Sequence, residues 1–154
     1  MNKVKYVFSI FMLGLAFCMF SSVNTSLAGS TKSADSIFSP VRNYNDLQQK
    51  LRSARNNNKP VLIEFYAAWC HACQQADQYI FSDPEIQRQL RSFEVLRVDL
   101  TNKNPDSTEI ARRYKVYATP TFIFYDENGK KYKPKSLNSR TNRNTFLEAL
   151  KELN

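Results

Sequence analysis

Apolar and polar positions along the chain alternate between a strand-like and a helix-like spacing. Residues 61–66, Val-Leu-Ile-Glu-Phe-Tyr, form a nearly unbroken β-branched and aromatic run behind Lys59-Pro60, the pattern of a buried strand. Residues 93–99 alternate enough for a second strand, and 121–125 read as a third. Asp126-Glu127-Asn128-Gly129 then turns the chain, and 130–133 are expected to pair back as an edge strand. Helical spacing takes over elsewhere. Leu47, Leu51 and Ala54 predict a helix over 44–55 with Asn45 or Asp46 near its cap. A helix opening on Cys70 runs to about Phe81, free of Gly and Pro. Asp83 caps the next, with Pro84 in its first turn, Glu85 on its positive end, and Ile86 and Leu90 inward. Residues 102–106 read as a loop, 107–114 as a short helix carrying Ile110 and Ala111, and 142–153 as a last helix burying Phe146, Leu147 and Leu150. Strand–helix–strand units give parallel pairs and the late hairpin an antiparallel one. The expected class is therefore α/β, a central mixed sheet flanked by helices on both faces.

A length of 154 residues fits one domain with a real core. Its beginning reads differently. Lys3 and Lys5 precede an apolar run over 6–20 and a polar stretch ending Ser26-Leu27-Ala28, so residues 1–28 are expected to be a secretory signal peptide cleaved near Ala28. A retained anchor is the rival reading, against which the run falls short of the roughly 20 apolar residues of a bilayer crossing. Bulky Phe17 fits poorly with lipid modification of Cys18. Residues 29–42 are polar and small, a flexible lead-in from which Ile37 and Phe38 can dock, and 43–154 form the domain. The formal charge is +8, but Lys and Arg are scattered, which fits a soluble basic surface; with export, it argues against a nucleic-acid partner.

Losing Cys18 with the signal leaves Cys70 and Cys73 as the only cysteines, a single C-x-x-C with no structural disulfide framework around it. An inert staple closing so short a loop adds little stability. A redox-active Cys70–Cys73 disulfide is the sharper reading: in the first helical turn the sulfurs lie side by side, and Cys70 sits where unpaired N–H groups and the helix dipole stabilise a thiolate. Cys70 is then the nucleophile and Cys73, one turn inside, the resolving thiol. His71 is the only histidine, which excludes a Cys-His metal site with a second histidine and any remote catalytic His. A charged His71 favours a Cys70 thiolate, yet the helix N-terminus opposes that charge, so tuning of the Cys70 pKa and simple exposure both stand. Glu64 lies mid-strand among apolar neighbours, where a carboxylate is costly unless paired or protonated; a solvated edge position is the alternative. Trp69 and Tyr66 suit part packing, part substrate platform.

Trp69-Cys70-His71-Ala72-Cys73 after a strand, with Ala118-Thr119-Pro120-Thr121 before another, resembles the thioredoxin superfamily. Tyr66-Ala67-Ala68-Trp69-Cys70-His71-Ala72-Cys73 followed by Phe81-Ser82-Asp83-Pro84 is similar to the C-terminal thioredoxin-like domain of DsbD-type thiol:disulfide interchange proteins. The resemblance runs from Tyr44 to the C-terminus. It implies a thioredoxin-like three-layer fold and a cis-proline loop in which Thr119 and Pro120, with Trp69, bind substrate backbone. It also implies that Glu64, in place of the more usual Asp, moves the proton of Cys73. One departure is Ala68, where DsbD-type domains commonly carry an acidic residue. The activity expected is that of an exported, periplasmic thiol–disulfide oxidoreductase that reduces disulfides in exported proteins. It is expected to act as a monomer without cofactor or metal, supplied by a separate membrane or periplasmic electron donor. A disulfide oxidase or isomerase is the enzymatic alternative. A soft-metal module for copper or zinc is the other, although a closed zinc site needs two more ligands.

Overall fold

Among the described residues, five strands in the order β1-β3-β2-β4-β5 build one mixed sheet with β2 (Val61–Tyr66) at its centre. The computed structural model describes residues 33–135, 137 and 141–153, so the signal peptide read over 1–28 lies outside the described residues. β3 (Glu94–Asp99) runs parallel to β2, and β4 (Thr121–Tyr125) antiparallel to it. β1 (Ser39–Pro40) adds a parallel edge on β3, and β5 (Lys131–Tyr132) an antiparallel edge on β4. A strand covered on both faces carries apolar residues at successive positions, which is why β2 reads as a continuous run.

The two faces bury separate sets of side chains. Val61, Ile63 and Phe65 join Leu96, Val98 and Ile123 under α1 (Tyr44–Asn56) and α4 (Pro105–Arg113), meeting Leu47, Ala54 and Ile110. On the other face Leu62, Val95 and Phe124 meet α2 (His71–Ala76), its π-helical continuation Asp77–Phe81, α3 (Pro84–Leu90) and α5 (Arg143–Lys151). Phe81 and Phe146 meet there edge to face with centroids 5.3 Å apart. The result is the helix–sheet–helix sandwich expected from the sequence.

Local chemistry moves some boundaries. α1 is capped by Asn43, not by Asn45 or Asp46: the Asn43 side chain accepts the Asp46 N–H at 2.9 Å, and the Asp46 carboxylate accepts the Arg42 N–H at 2.9 Å. That reciprocal pair leaves Asp46 inside the first turn. α4 begins at Pro105, within the stretch read as a loop, because Asn104 caps the Ser107 N–H at 2.8 Å and proline suits a first helical position. The last helix likewise starts after a cap, Asn142, whose side chain accepts from Asn144 and Thr145.

The lead-in is the larger correction. Ala34–Ile37 form a 3-10 turn and Ser39–Pro40 an edge strand, so the described part of 29–42 belongs to the domain. Phe38 packs edge to face on Phe81 with centroids 4.8 Å apart, Asp35 pairs with Arg97 at 2.8 Å, and the Val41 N–H reaches the Arg97 carbonyl at 2.9 Å. Two residues of strand show no periodicity, which is why this edge was invisible in the sequence.

Candidate active site

β2 delivers the chain to the start of α2 through the short loop 67–70. Cys70 is the N-cap of α2, with extended backbone, and its sulfur accepts the Cys73 N–H at 3.2 Å. Cys70 and Cys73 are disulfide-bonded, their Cα atoms 5.3 Å apart. Cys70 keeps 7% of its surface exposed and Cys73 none, so Cys70 is more enclosed than an open surface position, yet remains the more exposed residue of the pair. The Cys73 amide and the start of α2 face the Cys70 sulfur.

The loop is fastened from β3's far end. Thr101 Oγ1 accepts the Ala68 N–H at 2.9 Å, and its carbonyl accepts Trp69 Nε1–H at 3.2 Å. The Gln74 side chain donates to the Ala68 carbonyl at 2.6 Å. Trp69 is thereby held by its ring nitrogen while 61% of its surface stays exposed, an aromatic face offered beside the pair. Across from it, the Thr119–Pro120 peptide bond is cis and the Thr119 carbonyl oxygen lies 3.3 Å from Cys70 Sγ. Tyr117, 91% exposed, precedes this loop, and a cleft of about 550 Å³ beside it is lined by Ala72, Tyr79, Pro120, Phe122 and Arg143. His71 is the exposed first residue of α2.

Glu64 is fully buried, which rules out the solvated edge position. Its register partner on β3 is Arg97, and parallel pairing brings both side chains out on the α2 face. Arg97 Nε donates to Glu64 Oε2 at 2.7 Å, Nη1 to Asp35 at 2.8 Å, and Nη2 to Asp77 on the π-helical segment. The guanidinium also lies 3.8 Å from the Phe38 ring centroid and 4.2 Å from that of Tyr66, so Tyr66 serves packing here. Glu64 Oε1 is buried without a hydrogen-bond partner. Burial raises the Glu64 pKa from 4.5 to about 7, Arg97 pulling the other way and the charges of Asp77 and Asp35 adding to the rise. Asp77 is also held above the usual carboxylate range, by burial first, with Arg97 opposing. Burial works against the charge of Arg97, yet Glu64 and Asp77 hold its pKa above the ordinary value.

Sequence reading missed Arg97, Asp77, Asp35 and Thr101. Arg97 had a signal, a cation inside an apolar strand that must pair with the strand carrying Glu64. Asp77 stands four residues past Cys73, the same helix face, and its N–H donates to the Cys73 carbonyl. Asp35 and Thr101 left no trace in the pattern.

The fold and the pair together define the class, a thioredoxin-like protein of dithiol–disulfide type. The family model described as a thioredoxin-like domain matches residues 47–154, and the chain belongs to that family. It is 32% identical over 129 residues to the thiol:disulfide interchange protein DsbD of Vibrio vulnificus, covering 84% of this chain and 22% of that one. With DsbD of Photorhabdus laumondii it shares 33% identity, covering 75% of this chain and 20% of the relative. The chain thus spans about a fifth of the length of these relatives. Among solved structures, the oxidised C-terminal domain of Neisseria meningitidis DsbD superposes with a TM-score of 0.63 at 20% identity, over 75% of this chain and all of that one. A thioredoxin from Thermus thermophilus superposes at 0.58 with 29% identity, over 75% of this chain and 85% of that one.

Proposed function

We propose that the chain acts outside the cytoplasm, in the periplasm, as a reductase of disulfides in exported proteins, and is itself recharged by a separate electron donor. The observation that carries this reading is the asymmetry of the pair: Cys70 caps α2 beside the Thr119 carbonyl and retains exposure, while Cys73 is sealed one turn inside. The Cys70 thiolate attacks a substrate disulfide, forming a mixed disulfide and releasing one substrate thiolate. Cys73 then gives up its proton, with Glu64 as the proposed acceptor, and attacks Cys70 Sγ. The mixed disulfide breaks, the second substrate thiolate leaves, and the Cys70–Cys73 bond closes. Two electrons have passed to the substrate. Exposed Trp69 and the Thr119-Pro120 backbone are the proposed platform for an extended substrate segment, and His71 the proposed modulator of the Cys70 thiolate.

The reductive direction draws support from the similarity to DsbD proteins. Insulin-disulfide reduction with dithiothreitol as donor tests the activity: the protein accelerates it, and Cys70→Ala abolishes the acceleration. Full activity in that variant overturns the reading. Equilibration of the pair with glutathione tests direction. A potential nearer the roughly −270 mV of thioredoxin than the roughly −120 mV of a strong oxidant supports a reductase, and the reverse supports an oxidase.

A further inference from the structure

Lys and Arg are scattered along the sequence, but folding gathers a group of them at the end of the sheet away from the dithiol. Arg52 and Arg55 stand on the last two turns of α1, Lys59 on the link to β2, and Lys130 and Lys131 where the chain turns into β5. Arg52, Arg55 and Lys59 line a cleft of about 290 Å³ that Tyr114, Tyr125 and Asp126 also border. β2 begins at this cleft with Val61 and ends at the loop leading to Cys70, so about 20 Å of strand separates the cleft from the sulfurs. The three cations are uncommitted. Arg42, Arg88, Arg97, Arg113 and Arg143 each pair with a carboxylate, whereas among the described residues Arg52, Arg55 and Lys59 pair with none. Two acids lie at this end, Asp126 and Glu127. The Asp126 carboxylate accepts the N–H groups of Asn128 and Lys130 at 3.0 and 2.9 Å, and Glu127 stands exposed in the turn, so the local balance stays positive. Arg55 is held in place by the same turn. Its Cδ lies 3.1 Å from the point a Cβ on Gly129 would occupy, and Gly129 takes a φ of +76°, where glycine is at ease. Half-buried Tyr114, hydrogen-bonded to Tyr125 and Gln48, adds neutral hydroxyl groups to the lining.

Guanidinium forks, an ammonium and hydroxyl groups around a small space suit a phosphate group. The space falls just short of the roughly 300 Å³ at which pockets begin to enclose whole small molecules, so it takes a group carried on something larger. The exposed large apolar residues of the described chain are Trp69, Tyr79 and Tyr117, and none of them lines this cleft. A protein interface built here would lack the aromatic anchors that dominate such binding, whereas a layer of anionic headgroups asks only for charge and hydrogen bonds. We propose that the cleft holds a lipid phosphate, so that the protein docks on an anionic phospholipid surface by the end of the sheet opposite Cys70 and turns the dithiol outward. This goes beyond the reductase reading and does not depend on it. Arg52 and Arg55 bind the phosphate oxygens, Lys59 adds a third charge, and Lys130 and Lys131 meet neighbouring headgroups. The attraction fades within a Debye length, about 10 Å at 0.1 M salt, so cations on the rest of the surface contribute little once this end is in contact.

The test measures partition of the full chain onto vesicles of phosphatidylcholine alone and of phosphatidylcholine with an equal share of phosphatidylglycerol, at about 0.1 M salt. The ratio of the two affinities cancels any attraction that ignores headgroup charge, that of the apolar run over 6–20 included. Wild type prefers the anionic vesicles by about 100-fold or more, and Arg52→Gln, Arg55→Gln and Lys59→Gln together remove about 100-fold of that preference, roughly fivefold for each charge. Arg91→Gln, Lys133→Gln and Lys135→Gln together take the same charge from exposed positions outside the cleft and cost less than about tenfold. Arg52→Lys with Arg55→Lys keeps the charge but not the forks and costs about three- to fivefold. No anionic preference in wild type, equal losses in the two triple variants, or a lysine pair that binds as tightly as wild type overturns the proposal. Inorganic phosphate titrated without vesicles separates the two sources of the group. Binding weaker than about 1 mM is expected, and tighter binding without a preference for anionic vesicles assigns the cleft to free phosphate and overturns docking. Should the first triple variant fail to fold, the lysine pair decides alone.

Discussion

Glu64 shows how one residue links stability to chemistry. A carboxyl at 0% exposure keeps its proton up to about pH 7, where the unfolded chain releases it near 4.5. Between those values the folded state binds more protons than the unfolded one, so stability falls as pH rises from 4.5 to 7 and stays lower above. Asp77, also raised, acts in the same direction. The expected effect of Glu64 is on the order of 3 kcal/mol at most. Thermal melts of wild type and Glu64→Gln across this range check it: the variant loses most of the slope, and parallel curves contradict the account. Thr101 is a second test. Thr101→Val removes the hydroxyl that accepts the exposed Ala68 N–H, and a cost of about 0.5–1.5 kcal/mol is expected because water can take up that donor. Trp69 is the only tryptophan, so a fluorescence change on reduction that differs between Thr101→Val and wild type reports loosening of the site loop directly.

Elements in this fold owe their positions to a few anchors. Phe146 on α5 is fully buried and touches Phe81, Phe122 and Phe124, rings from two other elements. Phe146→Ala is expected to cost about 3–5 kcal/mol, read as a lowered urea midpoint with the dithiol chemistry intact in the folded fraction. Caps contribute less. Asn104→Ala removes the acceptor for the Ser107 N–H at the start of α4 and is expected to cost about 1 kcal/mol in the same assay. The helix bearing the cysteines is tied down differently, at its start by Thr101 through the preceding loop and at its continuation by Asp77 on Arg97. Its sulfurs are thus held from both sides while the exposed surface of Trp69 stays open to a partner.

At the scale of the whole molecule, the layered sheet was legible because its strands are long apolar runs and its helices carry period and caps. Val61–Tyr66, Thr121–Tyr125 and the Asp83-Pro84 start read directly from residue type. The edge strand Ser39–Pro40 did not, since two residues define no period and their fit depends on Phe38 and Asp35 reaching across the fold. The site divides the same way. Cys70, Cys73, Trp69 and the Thr119-Pro120 loop announce themselves in short motifs, whereas the clamp on Glu64 joins residues up to 62 positions apart and exists only in three dimensions. Trapping of the mixed disulfide tests the central claim most directly. Reduced Cys73→Ser and Cys70→Ser variants are mixed with a peptide disulfide and weighed by intact-mass spectrometry. The account predicts a stable peptide adduct on Cys70 in Cys73→Ser and none in Cys70→Ser; an adduct on Cys73 alone, or none in either variant, contradicts it.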